Sequence, residues 1–318
     1  MSIRIRKRAF TLRESILRFL LETQNPDGSW GYTPGKVGVL EPTAFACLAL
    51  SGVASAQTKL QKGVEFIRTA QSPQGGWTIG VSDSQPAAWT TALAGLALLN
   101  YEGLKDEVNL AANFLLNTVA KTPRHWILRI SEWMQSWDSS YTDQNLRGWN
   151  WNLGTATWVE PTAYALIFLK KFRALGGWEQ NGRARQLTVI TREADELIFV
   201  RACNEGGWNY GNSRVLGEEL RPYPLTTSLA LIACQDSPNR AENRKSRDYL
   251  ERSIDEEKSA LALSLASLCL QVYGVEITRI NRRINELYGE TLFFSDIRTT
   301  ALALLALQAE EGKNCFKF

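Results

Sequence analysis

The chain has 318 residues, 44% hydrophobic and 10% aromatic, with a formal net charge of +3. That is enough apolar material for a large core, and no segment is polar enough to be read as disordered. The charge is too small to argue for a nucleic-acid partner, and no run approaches the roughly 18 apolar residues of a membrane-spanning helix.

Residues 1–9 form a basic arm. Together with Arg13, its Arg4, Arg6, Lys7 and Arg8 could touch an anionic membrane surface, although a solvated arm is the plainer reading. Glu14 and Arg18 interrupt the apolar residues after the arm, so no secretory signal is expected. A charged helix over 12–23 then carries Phe19 and Leu20, reaches Gln24 and runs into a turn with Gly28 and Trp30. Glu41-Pro-Thr-Ala leads into the apolar run FACLAL. The same phrase returns at 60–71, with Phe66, Ile67, Gln71, Gly75, Gly76 and Trp77, and Thr91-Ala92 precedes LAGLALL.

A third charged helix over 107–118 is followed by a long link, about 119–158, and then Glu160-Pro-Thr-Ala and YALIFL. The fourth copy, over 184–202, has Phe199, Val200, Gly206, Gly207 and Trp208, with Cys203 in the place of Gln, and Thr227-Ser228 precedes LALIAC. A fifth pair combines 243–254 with Ser259-Ala260 and LALSLA. A sixth combines a shorter, weaker segment around 279–289 with Thr300-Ala301 and LALLAL. Pairs three, five and six lack the Trp turn in its usual form.

A fixed helix-then-turn grammar repeated in this way describes an array of helical hairpins. Glycine takes the left-handed conformation that stops a helix, Trp is large enough to lie over the helix end, and Gln offers an amide to free backbone groups there. The Ala-rich helices are apolar nearly all round and should be buried, whereas their charged partners should face solvent on one side. Pro42 and Pro161 fit the first turn of a helix, where a missing N–H costs nothing. The expected fold is all-α: a single (α/α)6 toroid over 1–318, with a cavity at its axis and a Trp-rich insertion in the third hairpin.

Six of the eleven Trp (Trp126, Trp133, Trp137, Trp149, Trp151 and Trp158) fall between 126 and 158. A connection this long is usually functional or a lid. Its aromatic faces would stabilise cations, or else plug one end of the toroid. Tyr210 and Tyr223, in the matching link of the fourth hairpin, could line the same mouth or simply pack. The sole histidine, His125, opens the insertion and would suit proton transfer at neutral pH, although an isolated His in a loop is more often incidental. Cys47, Cys203, Cys234, Cys269 and Cys315 show no CxxC spacing and read as reduced core thiols of a cytoplasmic protein.

The Gln-Trp turns and Thr-Ala helix starts resemble the squalene/oxidosqualene cyclase and protein prenyltransferase repeat superfamily, over roughly residues 10 to 310. The resemblance implies an α/α toroid with an isoprenoid or other long apolar ligand in its cavity. A triterpene cyclase looks like two such domains, and this chain has helices for one ring; whether a partner chain completes a second is open. In squalene-type cyclases an Asp-x-Asp-Asp-Thr-Ala motif supplies the acid that protonates an alkene, two residues before Thr. The matching positions here are Glu41 and Glu160, with Val39 and Trp158 before them and Pro42 and Pro161 after them. Each acid keeps its place and loses its Asp neighbours, which leaves a lone Glu, a poor donor to an alkene. The other hairpins place Trp89, Leu225, Glu257 and Arg298 in that column.

The plainer account of both glutamates is helix capping, by free N–H groups and the dipole. The functional account is a terpene cyclase-like isomerase or lyase. Glu160 and Glu41 would be its acid or base, with Trp89, Trp149, Trp151, Trp158, Tyr210, Tyr223 and His125 contacting an isoprenoid or polyene. The alternative is a noncatalytic carrier of an apolar ligand. A carbohydrate-active α/α barrel with paired carboxylates is a third reading, against which the Gln-Trp turns count. No Cys-Asp-His cluster, DDxxD-type cluster or phosphate loop is visible, so no metal or cofactor is expected.

Overall fold

The structure is a computed structural model that describes residues 11–80, 83–121, 146–178, 182–215, 217–291 and 296–318. Among them are twelve α-helices in six successive pairs: α1 (Leu12–Glu22) and α2 (Leu40–Leu50), α3 (Gln57–Thr69) and α4 (Ala88–Leu98), α5 (Lys105–Thr118) and α6 (Val159–Ala174), α7 (Gly182–Val200) and α8 (Pro224–Ala233), α9 (Ala241–Ser253) and α10 (Ala260–Val272), α11 (Thr278–Thr291) and α12 (Ile297–Ala309). The even-numbered helices pack side by side in chain order, and α12 returns to α2, which closes an inner ring. The odd-numbered helices lie outside it, each against at least one inner helix. The fold is therefore the expected all-α toroid.

Burial follows from composition. Every residue of α2 and of α4 is buried, whereas α3 buries only Leu60, Gly63, Val64 and Ile67, one stripe at helical spacing. The last outer helix corrects the expectation of a short, weak element. It runs for 14 residues and buries Ile280, Ile284 and Leu287. Arg279, Arg282 and Arg283 dilute that stripe when it is read as sequence.

The Trp turns repeat atom for atom. The indole N–H of Trp30, Trp77 and Trp208 donates to the carbonyl of Leu20, Ile67 and Ile198, at 2.9, 2.6 and 2.6 Å. Their backbone N–H groups donate to the hydroxyls of Thr43, Thr91 and Thr227, at 2.9, 3.1 and 2.9 Å. Each Trp carbonyl in turn accepts from the residue that starts the inner helix, namely Val39, Ala87 and Tyr223. The turn thus caps the inner helix from outside, which explains the Thr at each start. Gln24 and Gln71 bond their own turns, at Gly28 and Gly75, and also Lys59 and Glu107 of the next outer helix, so they tie neighbouring hairpins together. Gly28 and Gly75 both sit at φ +90°, where an added Cβ would meet the carbonyl oxygen of Lys62 or Leu110 at 2.4 or 2.5 Å. The conformation and the close approach both demand glycine.

The third hairpin has the same staple. Trp149 donates its indole N–H to Leu115 at 3.0 Å and its backbone N–H to Thr162 at 3.0 Å. The insertion enters between the helix and the Trp, which hides the turn from a sequence reading. Its ends meet in a two-residue antiparallel ladder, β1 (Ala120–Lys121) with β2 (Arg147–Gly148). His125, Trp126, Trp133 and Trp137 lie outside the described residues. In the fifth and sixth hairpins ordinary caps take over: Ser259 Oγ accepts from Ala262 and Asp296 Oδ1 from Arg298.

At the end of the ring where the inner helices stop, residues 314–318 lie across it. Asn314 donates to Leu268, Gln235 donates to Phe316, and the Phe316 ring is fully buried. All five cysteines are free, and all but Cys315 are buried. No described helix is long and apolar enough to cross a membrane.

Candidate functional site

The second residue of each inner helix points to the axis. These residues are Glu41, Trp89, Glu160, Leu225, Leu261 and Arg298, and all six line one cavity of about 370 Å³. One turn deeper, Tyr164, Leu265 and Leu302 form its floor, because i and i+4 share a helix face. Tyr32, Trp151 and Tyr210 complete the wall. Each of these three stands two residues after a staple Trp, so one turn anchors the hairpin with its first aromatic and lines the cavity with its second. In ring order Arg298, Glu41, Trp89 and Glu160 form a polar arc, facing Leu225 and Leu261.

The two carboxylates differ in their partners. Glu41, 5% exposed, accepts from the Tyr32 hydroxyl and from Arg298 Nη1 at 3.2 Å. Burial works against the Arg298 charge, but Glu41 and Asp296 more than restore it, and its pKa is raised. Glu160, 9% exposed, accepts from Thr226 Oγ1 at 3.0 Å, and its other oxygen has no partner among the described residues. Burial raises the Glu160 pKa, with the Glu41 charge adding to that, while Thr226 and Arg298 pull the other way. Burial and then the charges of Glu41 and Glu160 push the Tyr164 phenol well above its ordinary value. Among the described residues neither glutamate takes a backbone N–H, so the expected hydrogen-bonded cap is corrected, although both acids stand in the first turn of their helices. The Trp turns already cap these helices, which frees both acids to face the cavity.

Of the residues singled out in the sequence, Glu41, Glu160, Trp89, Trp151 and Tyr210 come together here. Trp149 does not. It is wholly buried as the staple of its hairpin. Trp158 and Tyr223 are 37% and 45% exposed and do not line the cavity. Tyr223 stacks on Tyr210, with 5.0 Å between ring centroids. In the column of helix starts, Leu261 stands in the place expected for Glu257: Ser259 is a helix cap, four residues before the position that Thr holds in other hairpins. Tyr32 and Tyr164 were missed, although Trp-plus-two and Glu-plus-four spacings would have found them. Among the described residues no three His, Cys, Asp or Glu side chains converge as a metal ion requires.

No family model matches the chain. A stretch of 69 residues, 22% of the chain, is 36% identical to drimenyl diphosphate synthase of Streptantibioticus cattleyicolor, and the match spans 13% of that enzyme's length. Among solved structures, the type II terpene cyclase MstE from Scytonema superposes with a TM-score of 0.59 at 15% identity, over 95% of this chain and 98% of that one. MstE is also known in complex with its substrate, geranylgeranyl dihydroxybenzoate. An α-amylase from Clostridium perfringens superposes with a TM-score of 0.62 at 12% identity, over 94% and 97%. At these identities the structural likeness is one of fold.

Proposed function

We propose that this terpenoid cyclase-like α/α toroid binds an isoprenoid-like apolar compound in its central cavity and acts on it by acid/base chemistry. The observation that carries the reading is the convergence of all six inner-helix starts on one cavity, with two glutamates in different electrostatic settings and Arg298 in an otherwise aromatic and leucine-lined chamber. Glu160 is the proton donor, since desolvation favours its neutral form and one of its oxygens has no partner among the described residues. Glu41, ion-paired to Arg298, is the carboxylate that faces positive charge as it develops. Trp89 and Trp151, edge to face at 5.4 Å, with Tyr210, offer ring faces to the same charge. A proton given at one atom of the substrate and taken back from another leaves it isomerised, with no external reactant. The likeness to MstE supports this at the level of fold, and its complexes place a long isoprenoid compound in that cyclase.

A noncatalytic carrier is the second reading, favoured by the prolines that stand where the squalene-type motif has a further Asp. Against a glycan count the Gln-Trp turns and the four leucines, which offer the hydroxyls of a sugar no hydrogen bond. The test is incubation with linear polyprenyl compounds, with products followed by gas chromatography and mass spectrometry. Glu160→Gln is expected to abolish product formation and preserve binding. Unchanged turnover in the Glu41→Gln, Glu160→Gln double variant overturns the acid/base roles. Binding without turnover by the unmodified protein makes it a carrier.

A further inference from the structure

We propose that the compound held in the central cavity carries a neutral oxygen function (hydroxyl, carbonyl or epoxide) that hydrogen-bonds Tyr164 on the cavity floor, below Glu160. This rests on the reading that the cavity is the ligand site. Tyr164 follows Glu160 by one turn of α6, so the two side chains stack on one face. Its side chain is only 6% exposed and lines the cavity, yet its hydroxyl has no hydrogen-bond partner among the described residues. Two half-buried tyrosines away from the cavity are satisfied, Tyr273 by Leu231 at 2.7 Å and Tyr249 by Pro222 at 2.9 Å, and the more exposed Tyr32 on the cavity wall donates to Glu41. Buried phenols usually find a partner, and one left open toward a cavity is matched to something that enters it.

Three neighbours on the same arc also keep polar atoms without a hydrogen-bond partner among the described residues: the second oxygen of Glu160, the buried indole N–H of Trp89 and the buried Nε–H of Arg298, whereas all four staple indoles donate. A pure hydrocarbon would cover these groups and pair none of them. An oxygen on one side of an apolar chain pairs the polar arc and leaves the chain to Leu225, Leu261, Leu265 and Leu302. The oxygen is neutral because an anion would meet the Glu41 carboxylate. Among the lining residues the single cation, Arg298, is already bonded to Glu41 and stands 3.9 Å from Asp296. The raised pKa of Glu160 agrees, since a weak acid transfers or shares its proton more readily with oxygen than with an alkene carbon.

The test compares farnesol, farnesene and farnesyl diphosphate as titrants, read by isothermal titration calorimetry, for the unmodified protein and for Tyr164→Phe. Farnesol is expected to bind about tenfold or more tighter than farnesene, and Tyr164→Phe to remove that preference while leaving farnesene affinity and the melting temperature nearly unchanged. Equal binding of alcohol and hydrocarbon overturns the inference and leaves the cavity reading standing. So does a preference that Tyr164→Phe leaves intact, or tightest binding by the diphosphate. If none of the three binds, the cavity reading and the inference fall together.

Discussion

The two ends of the inner ring both bury charge, and they treat it in opposite ways. At the closed end the ammonium of Lys170, 2% exposed, donates to Ala233 at 2.9 Å and meets Asp195 and Asp236 at 2.8 and 2.7 Å. All three of its protons are used. Burial alone would lower the Lys170 pKa, and the neighbouring carboxylates turn the net shift upward. At the end where the inner helices start, Glu160, Tyr164 and Trp89 keep polar atoms without partners among the described residues. A satisfied buried network locks helices together, whereas polar atoms left open toward a cavity can be completed by what enters it. The contrast separates structure from site more sharply than burial does.

The comparison can be broken by substitution. Trp149→Ala, which removes a staple, should cost about 3–5 kcal/mol in unfolding free energy. Trp151→Phe, two residues away on the cavity wall, should leave the melting temperature nearly unchanged and weaken ligand binding. Equal effects at the two positions would erase the division of labour within the turn. Lys170→Met should cost about 3 kcal/mol, because it leaves the half-buried Asp195 carboxylate without its cation, and should leave cavity binding as it was. A loss of binding there would couple the two ends. Glu160→Gln should change stability by less than about 1 kcal/mol at neutral pH, since no ion pair is broken, while product formation disappears.

The smallest effect is a pH slope. The pKa of Glu160 is raised above 4.5 in the folded chain, so the folded state holds this proton more tightly than the unfolded state. That contribution to stability is fully present below the unfolded pKa and is lost as pH rises through the higher folded value. Urea midpoints measured across that window should fall with pH in the unmodified protein and fall less in Glu160→Gln. Parallel slopes would mean that Glu160 is not desolvated as the structure has it.

Much of the ring was legible because its grammar is local. The alternation of charged and apolar helices, the Gly-Trp stop and the Thr that bonds it span about fifteen residues, within reach of turn chemistry and helix periodicity. The same reading failed where a local pattern served a different partner. Ser259 matched the Thr column because both stand at helix starts, but Ser259 caps its own helix and no Trp turn bonds it. Trp149 joined the insertion's aromatics by proximity in sequence, while its indole bonds Leu115 across 34 residues.

By itself, then, the sequence determined six hairpins, their buried and exposed members, and a column of helix-start residues that includes Glu41, Trp89, Glu160 and Arg298. Only the tertiary structure decided that the column closes on one cavity and that Arg298 bonds Glu41 across 257 residues. That the Tyr164 hydroxyl finds no partner among the described residues is likewise an outcome of the tertiary structure. Helix and turn formation depends on neighbours along the chain. Ring closure and the pairing of buried polar groups depend on the sum of six hairpin placements, which no single segment encodes.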